Sequence, residues 1–201
     1  MKNKLLALAS ATVMIAGVVT FATADAEPRS ARARLVTAHS VEIGTVDFTN
    51  ANGYTEVKVR LVNAPGIDAF HGFHIHANNV ISATNGEGCI ANTALAPSTW
   101  FASADGHFKR DGELHSHHAG DLPVVYVNGD GSVESRFRID TIDSSELVGK
   151  AVILHAGPDN YNNIPLGSAS SQYTANHQDA IDATNNTGNA GSRIACGVIK
   201  D

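Results

Sequence analysis

The chain has 201 residues, with 14 Lys and Arg against 20 Asp and Glu and a formal net charge of -6, which excludes a nucleic acid or an anionic membrane surface as the main partner. Hydrophobic residues at 43% exclude a disordered chain, and 18 Gly with 6% aromatics favour short strands joined by turns over a helical bundle.

In chain order, Met1–Lys4 is a short basic start, and no charge follows from Leu5 to Ala24. Two small-x-small sites come next, Ala22-Thr23-Ala24 and Ala24-Asp25-Ala26, which is the pattern of a secretory signal peptide. Residues 1–26 are therefore expected to be removed on export, to the periplasm or the extracellular space. The apolar run is nearly long enough to span a bilayer, but no basic stop-transfer flank follows it, so no stable membrane insertion is expected after cleavage. Residues 27–34 read as a flexible leader, and residues 35–201 as one folded domain.

Within that domain Val41–Phe48 alternates between apolar and polar, Asn50-Ala51-Asn52-Gly53 supplies turn chemistry, and Glu56–Leu61 returns with Val57, Val59 and Leu61 on one face. These segments predict an antiparallel hairpin. Val124–Val127, the turn Asn128-Gly129-Asp130-Gly131 and Ser132–Ile139 predict a second. Ala151–Leu154 reads as a buried strand. Three long segments lack a strand pattern: Ala77–Asp105, Gly106–Leu122 and Gly157–Ser192. Loops of that length in a compact domain are usually functional.

Most of the ten histidines gather in or beside those loops. His74-Ile75-His76 places two imidazoles on one face of a strand, which suits copper or zinc. His107, His115, His117, His118 and Asp121 fall within fifteen residues. So many imidazoles repel one another when protonated, whereas a metal satisfies all of them. His155 ends the buried strand, where it can face the same cavity, and Asp159 lies four residues on, where it can orient ligating imidazoles. Cys89 and Cys196 are the only two cysteines. In an oxidising compartment their default state is one disulfide, with two free thiols as the alternative.

Gly72-Phe73-His74-Ile75-His76, His118-Ala119-Gly120-Asp121-Leu122-Pro123, Leu154-His155-Ala156-Gly157 and the run Gly188–Ile199 resemble, in order, the motifs of the copper–zinc superoxide dismutases, notably the bacterial exported type. The resemblance implies an all-β fold, an antiparallel Greek-key sandwich or barrel with long metal-binding and electrostatic loops. It implies disproportionation of superoxide to oxygen and peroxide by Cu(II)/Cu(I) cycling, with zinc as a structural or tuning metal. By the same resemblance His74, His76, His107 and His155 are expected to bind copper, with His107 bridging to zinc. His107, His115, His118 and Asp121 are expected to bind zinc, with Asp159 hydrogen-bonded to one ligand of each metal. Arg193 is expected to select the superoxide anion, and Cys89–Cys196 to be the family disulfide. Between His115 and His118 the loop is several residues shorter than is usual in the family, so His117 stands as an alternative zinc ligand. A homodimer or a monomer is implied.

Overall fold

The computed structural model describes residues 30–79, 88–161 and 178–201. The expected signal peptide, 1–26, lies outside the described residues. Three antiparallel strands open the fold: β1 (Ser30–Thr37), β2 (Glu42–Ala51) and β3 (Tyr54–Leu61). The predicted first hairpin is present, with Ala51 opposite Tyr54 and Asn52 and Gly53 both at positive φ, 47° and 89°. That two-residue turn has the twist that antiparallel strands require.

Of the segment 27–34 expected to be a flexible leader, the described part is strand. Residues 30–34 belong to β1, where Ala31, Ala33 and Leu35 are buried. Arg32 and Arg34 lie on the outer face, paired with Asp47 and Glu42. Alanine on the inner side gives too weak an apolar alternation to mark this strand in the sequence.

The second predicted hairpin is also corrected. β6 (Val125–Val127) pairs with the short strand β4 (Ala69–His71), whereas β7 (Val133–Ile139) pairs with β3 along its length. The turn itself exists, with the Gly131 N–H donating to Asn128 O at 2.8 Å. However, Gly131 O accepts the Ala64 N–H at 2.9 Å. That contact draws the turn to the end of β3 and separates the two arms.

The remaining strands are β5 (Phe73–His76), β8 (Ala151–His155) and β9 (Arg193–Lys200). One seven-stranded sheet runs β5-β8-β9-β1-β2-β3-β7, with β4-β6 as a separate pair. All its pairings are antiparallel, and the return of β8 and β9 to the free edge of β1 is a Greek-key crossover. The sheet curls into a half-barrel. Leu35, Phe48, Val59, Phe73, Leu154 and Ile199 meet inside it, joined by Val125 and Val127 of β6. Among the described residues, two α-helices lie in the connections. α1 (Ser144–Leu147) is closed by a capping box between Asp143 and Glu146. α2 (Gln178–Thr187) occupies part of the segment expected to be loop. It carries no strong apolar stripe, which is why periodicity does not reveal it.

Candidate metal centre

Strand alternation divides β5 between two environments. Phe73 and Ile75 enter the main core opposite Leu154 and Val152, while His74 and His76 point to the other side. Beyond β5, isolated backbone bridges join His74 to Asp121 and His76 to His107. The 107–121 segment is thereby held alongside the paired histidines. On β8 a register shift between Leu154 and His155 sets His155 opposite Arg193 of β9.

Four imidazoles, those of His74, His76, His107 and His155, are buried with ligand atoms within 4.8 Å of one another. His76 Nε2 and His155 Nε2 are 3.4 Å apart. The opposite nitrogens are engaged: His76 Nδ1–H donates to Asp105 O at 2.7 Å, and His155 Nδ1–H to Gly191 O at 3.1 Å. Likewise His74 Nε2–H donates to Asp159 Oδ2 at 2.5 Å. His74 Nδ1 and His107 Nε2 are buried with no hydrogen-bond partner among the described residues. An unsatisfied buried polar atom costs about 1–3 kcal/mol, and a metal ion bound by these nitrogens removes that penalty. Four nitrogen donors suit copper or zinc.

A second group shares members with the first. His74, His107, His115 and Asp121 also place ligand atoms within 4.8 Å of one another. His107 Nδ1 is 2.9 Å from Asp121 Oδ1, and His115 Nδ1 is 3.1 Å from Asp121 Oδ2. His118 Nδ1 lies 3.3 Å from both Asp121 Oδ1 and His107 Nδ1. Three imidazoles and one carboxylate form a donor set suited to zinc. His107 thus offers Nδ1 to the second group and leaves Nε2 for the first.

Both His115 and His118 are buried, whereas His117 is exposed, with its ring Nδ1 3.3 Å from the Ser116 hydroxyl. The short spacing works because the chain turns back within it. The His117 N–H donates to Leu114 O at 2.9 Å, and Ser116 takes φ 64°. Glu113 closes this loop, its Oε2 accepting the N–H groups of Arg110 at 2.8 Å and Ala119 at 3.0 Å. No sequence signal marks Glu113, since a single acid in a polar loop has no pattern.

Asp159 joins the two groups. Besides His74, it accepts His115 Nε2–H at Oδ1, at 2.6 Å. Burial works to raise its pKa, but the bonds from His115 and His74 win and hold the carboxyl below its usual range. Arg193 lies beside the first group, donating to Phe101 O at 2.5 Å and Asp105 O at 2.6 Å. Asp105 O also accepts from His76, so one carbonyl orients both residues. Phe101 reaches this position with φ 55° at the start of a tight turn over Ala102–Ala104. The Cys89–Cys196 disulfide, with Cα atoms 5.4 Å apart, ties the segment holding these carbonyls to β9.

These environments set the pH response of the metal-free protein. Burial, followed by neighbouring positive charge, pushes His76 and His155 well below 6.5. Burial also lowers His107, to about 3, against the pull of Asp121. Such groups are neutral when folded but protonate when unfolded, so the stability they contribute is present above pH 6.5 and lost as pH falls below it. His115 has the opposite sign. Burial opposes its charge, but Asp121 and Asp159 raise it to about 9, so its contribution is lost as pH rises from 6.5 to 9. Calorimetry of the metal-free protein is expected to find its melting temperature highest near pH 6.5, falling more steeply on the acid side, where three groups act together.

The profile of the Copper/zinc superoxide dismutase (SODC) family matches residues 42–199. The chain is 34% identical over 184 residues to a copper–zinc superoxide dismutase of Mycolicibacterium paratuberculosis, covering 87% of this chain and 78% of that protein. It is 30% identical over 175 residues to one of Brucella abortus, covering 83% of each. A solved structure of the clock protein EA4 superposes with a TM-score of 0.60 at 25% identity, over 90% of this chain and 99% of that one. With a family match spanning most of the sequence and buried imidazole clusters able to hold the metals, the chain belongs to the copper–zinc superoxide dismutases, oxidoreductases that act on superoxide with copper and zinc as cofactors.

Proposed function

We propose that the protein disproportionates superoxide to oxygen and hydrogen peroxide outside the cytoplasm. In this reading His74, His76, His107 and His155 hold copper, and His107, His115, His118 and Asp121 hold zinc. The carrying observation is the His107 ring, whose Nδ1 lies 2.9 Å from Asp121 while its Nε2 is buried with no hydrogen-bond partner among the described residues. Bound copper supplies the one-electron Cu(II)/Cu(I) couple that oxidises one superoxide and reduces the next, which zinc cannot do.

The chain's own residues supply the rest. The Arg193 guanidinium is fixed on one side by two carbonyls, leaving its other N–H groups to receive a small anion beside the four imidazoles. His107 Nε2 is the nitrogen that would carry a proton from solvent to the reduced product, while Asp121 steadies the ring at Nδ1. Asp159 keeps His74 and His115 in one tautomer, each with Nε2–H on the carboxylate and Nδ1 available. The signal-peptide pattern and the disulfide support action after export. Among the described residues, no helix is long and apolar enough to cross a membrane.

Arg193→Ala tests the anion site. Removing a charge-assisted hydrogen bond of ~1.5–3 kcal/mol lowers kcat/KM about 10- to 100-fold. Copper content should stay unchanged, and Arg193→Lys should recover part of the rate through its charge alone. An Arg193→Ala enzyme with the parent kcat/KM would remove Arg193 from substrate binding.

A further inference from the structure

Tyr161 stands directly behind the second imidazole group, two residues after Asp159. Its ring lies nearly parallel to that of His115, with centroids 6.4 Å apart and an interplanar angle of 15°. Its phenol oxygen accepts the Val124 N–H at 2.8 Å, three residues beyond Asp121. One side chain therefore spans two chain segments, the 159–161 turn and the exit of the 107–121 loop. Burial, together with the charges of Asp159 and Asp121, pushes the phenol up, so it is neutral at physiological pH and serves as packing surface and acceptor.

His115 needs such a support. Its Nε2–H is fixed on Asp159, its Nδ1 faces Asp121 and its backbone N–H is fixed on Asn185 O at 2.9 Å, but contacts at the two ring nitrogens leave the imidazole free to rock about the line between them. His74 and His118 meet the ring edge-to-face, with centroids at 5.4 and 5.6 Å. The ring of Tyr161 is the parallel aromatic neighbour of His115 among the described residues. Rocking would turn the in-plane lone pair of Nδ1 out of line with Asp121, which it now faces at 3.1 Å.

We infer that Tyr161 is a positioning residue for the zinc half of the centre: its ring face fixes the plane of His115. This inference rests on the zinc assignment proposed above. The face and the oxygen separate by chemistry, since Tyr161→Phe keeps the face and loses the acceptor, whereas Tyr161→Leu loses both.

The test is zinc affinity, by competition with a chromophoric chelator, and the visible spectrum of the protein with cobalt(II) in place of zinc. Tyr161→Leu is expected to weaken zinc binding about 10- to 100-fold, the usual effect of removing an outer support from a metal ligand. Its cobalt(II) bands should shift and weaken, while copper uptake and the melting temperature of the metal-free protein hold. Tyr161→Phe should keep most of the affinity and the parent cobalt(II) spectrum. Parent-like zinc affinity and spectrum in Tyr161→Leu would overturn the role. So would a Tyr161→Phe protein as weak as Tyr161→Leu, or a loss of zinc matched by loss of copper and a lower metal-free melting temperature, which mark a general fold contact. A parent protein that takes up neither zinc nor cobalt(II) would overturn the zinc assignment itself.

Discussion

Replacing His107 with Ala will lower turnover roughly 10²–10⁴-fold, the range that a positioned proton donor contributes, while copper remains bound through His74, His76 and His155. The unequal outcome follows from the placement of the ring. The other three imidazoles keep their outer hydrogen bonds to Asp159, Asp105 O and Gly191 O when His107 is removed. The proposed zinc set loses one of its four donors, leaving His115, His118 and Asp121, so zinc affinity falls as well. Metal analysis alongside the assay checks this. An enzyme that retains copper, loses zinc and turns over at the parent rate would deny His107 its catalytic part.

Breaking the disulfide with Cys89→Ser and Cys196→Ser is expected to destabilise the protein by roughly 4–5 kcal/mol, because the bridge restricts so long a stretch of the unfolded chain. For a domain of this size that is a drop in Tm of roughly 10–20 °C. The two cysteines are 107 positions apart, and Cys196 packs with Phe101, Ala104 and Ile153 in a second small core. The Phe101 and Asp105 carbonyls that orient Arg193 belong to the segment the bridge anchors. Activity should therefore fall before global unfolding, at temperatures where the parent is still fully active. Scanning calorimetry with a parallel activity series checks both. Superimposable melting curves would show that the long loop is held by packing alone.

What could be read from the sequence depended on the kind of signal each element leaves. His74 and His76 were legible because strand alternation puts residues two apart on one face, and β5 obeys it. His155 was legible as the end of an apolar strand. The fourth position of the second group was open between His115 and His117. Spacing alone does not show which of them faces Asp121: a left-handed turn at Ser116 leaves His117 exposed and His115 buried 3.1 Å from Asp121. The first part of β1, residues 30–34, was read as leader because its core side there is alanine, and the second hairpin was read as paired because a turn sequence does not reveal a competing bond from Ala64. Glu113 and Tyr161 left no trace for a related reason. Their roles lie in contacts between segments that only the folded chain brings together, with Tyr161 reaching Val124 across 37 positions.

The central claim is that four imidazoles hold a redox-active copper, with one of them shared with zinc. Its most direct test is the cyanide-sensitive superoxide dismutation rate of the protein reconstituted with copper alone and then with copper plus zinc. The arrangement of His107, His115, His118 and Asp121 predicts turnover with copper and a further gain when zinc is added, with one equivalent of each metal bound. One bound copper without turnover under either condition would contradict the account and leave a copper-binding protein on the same fold.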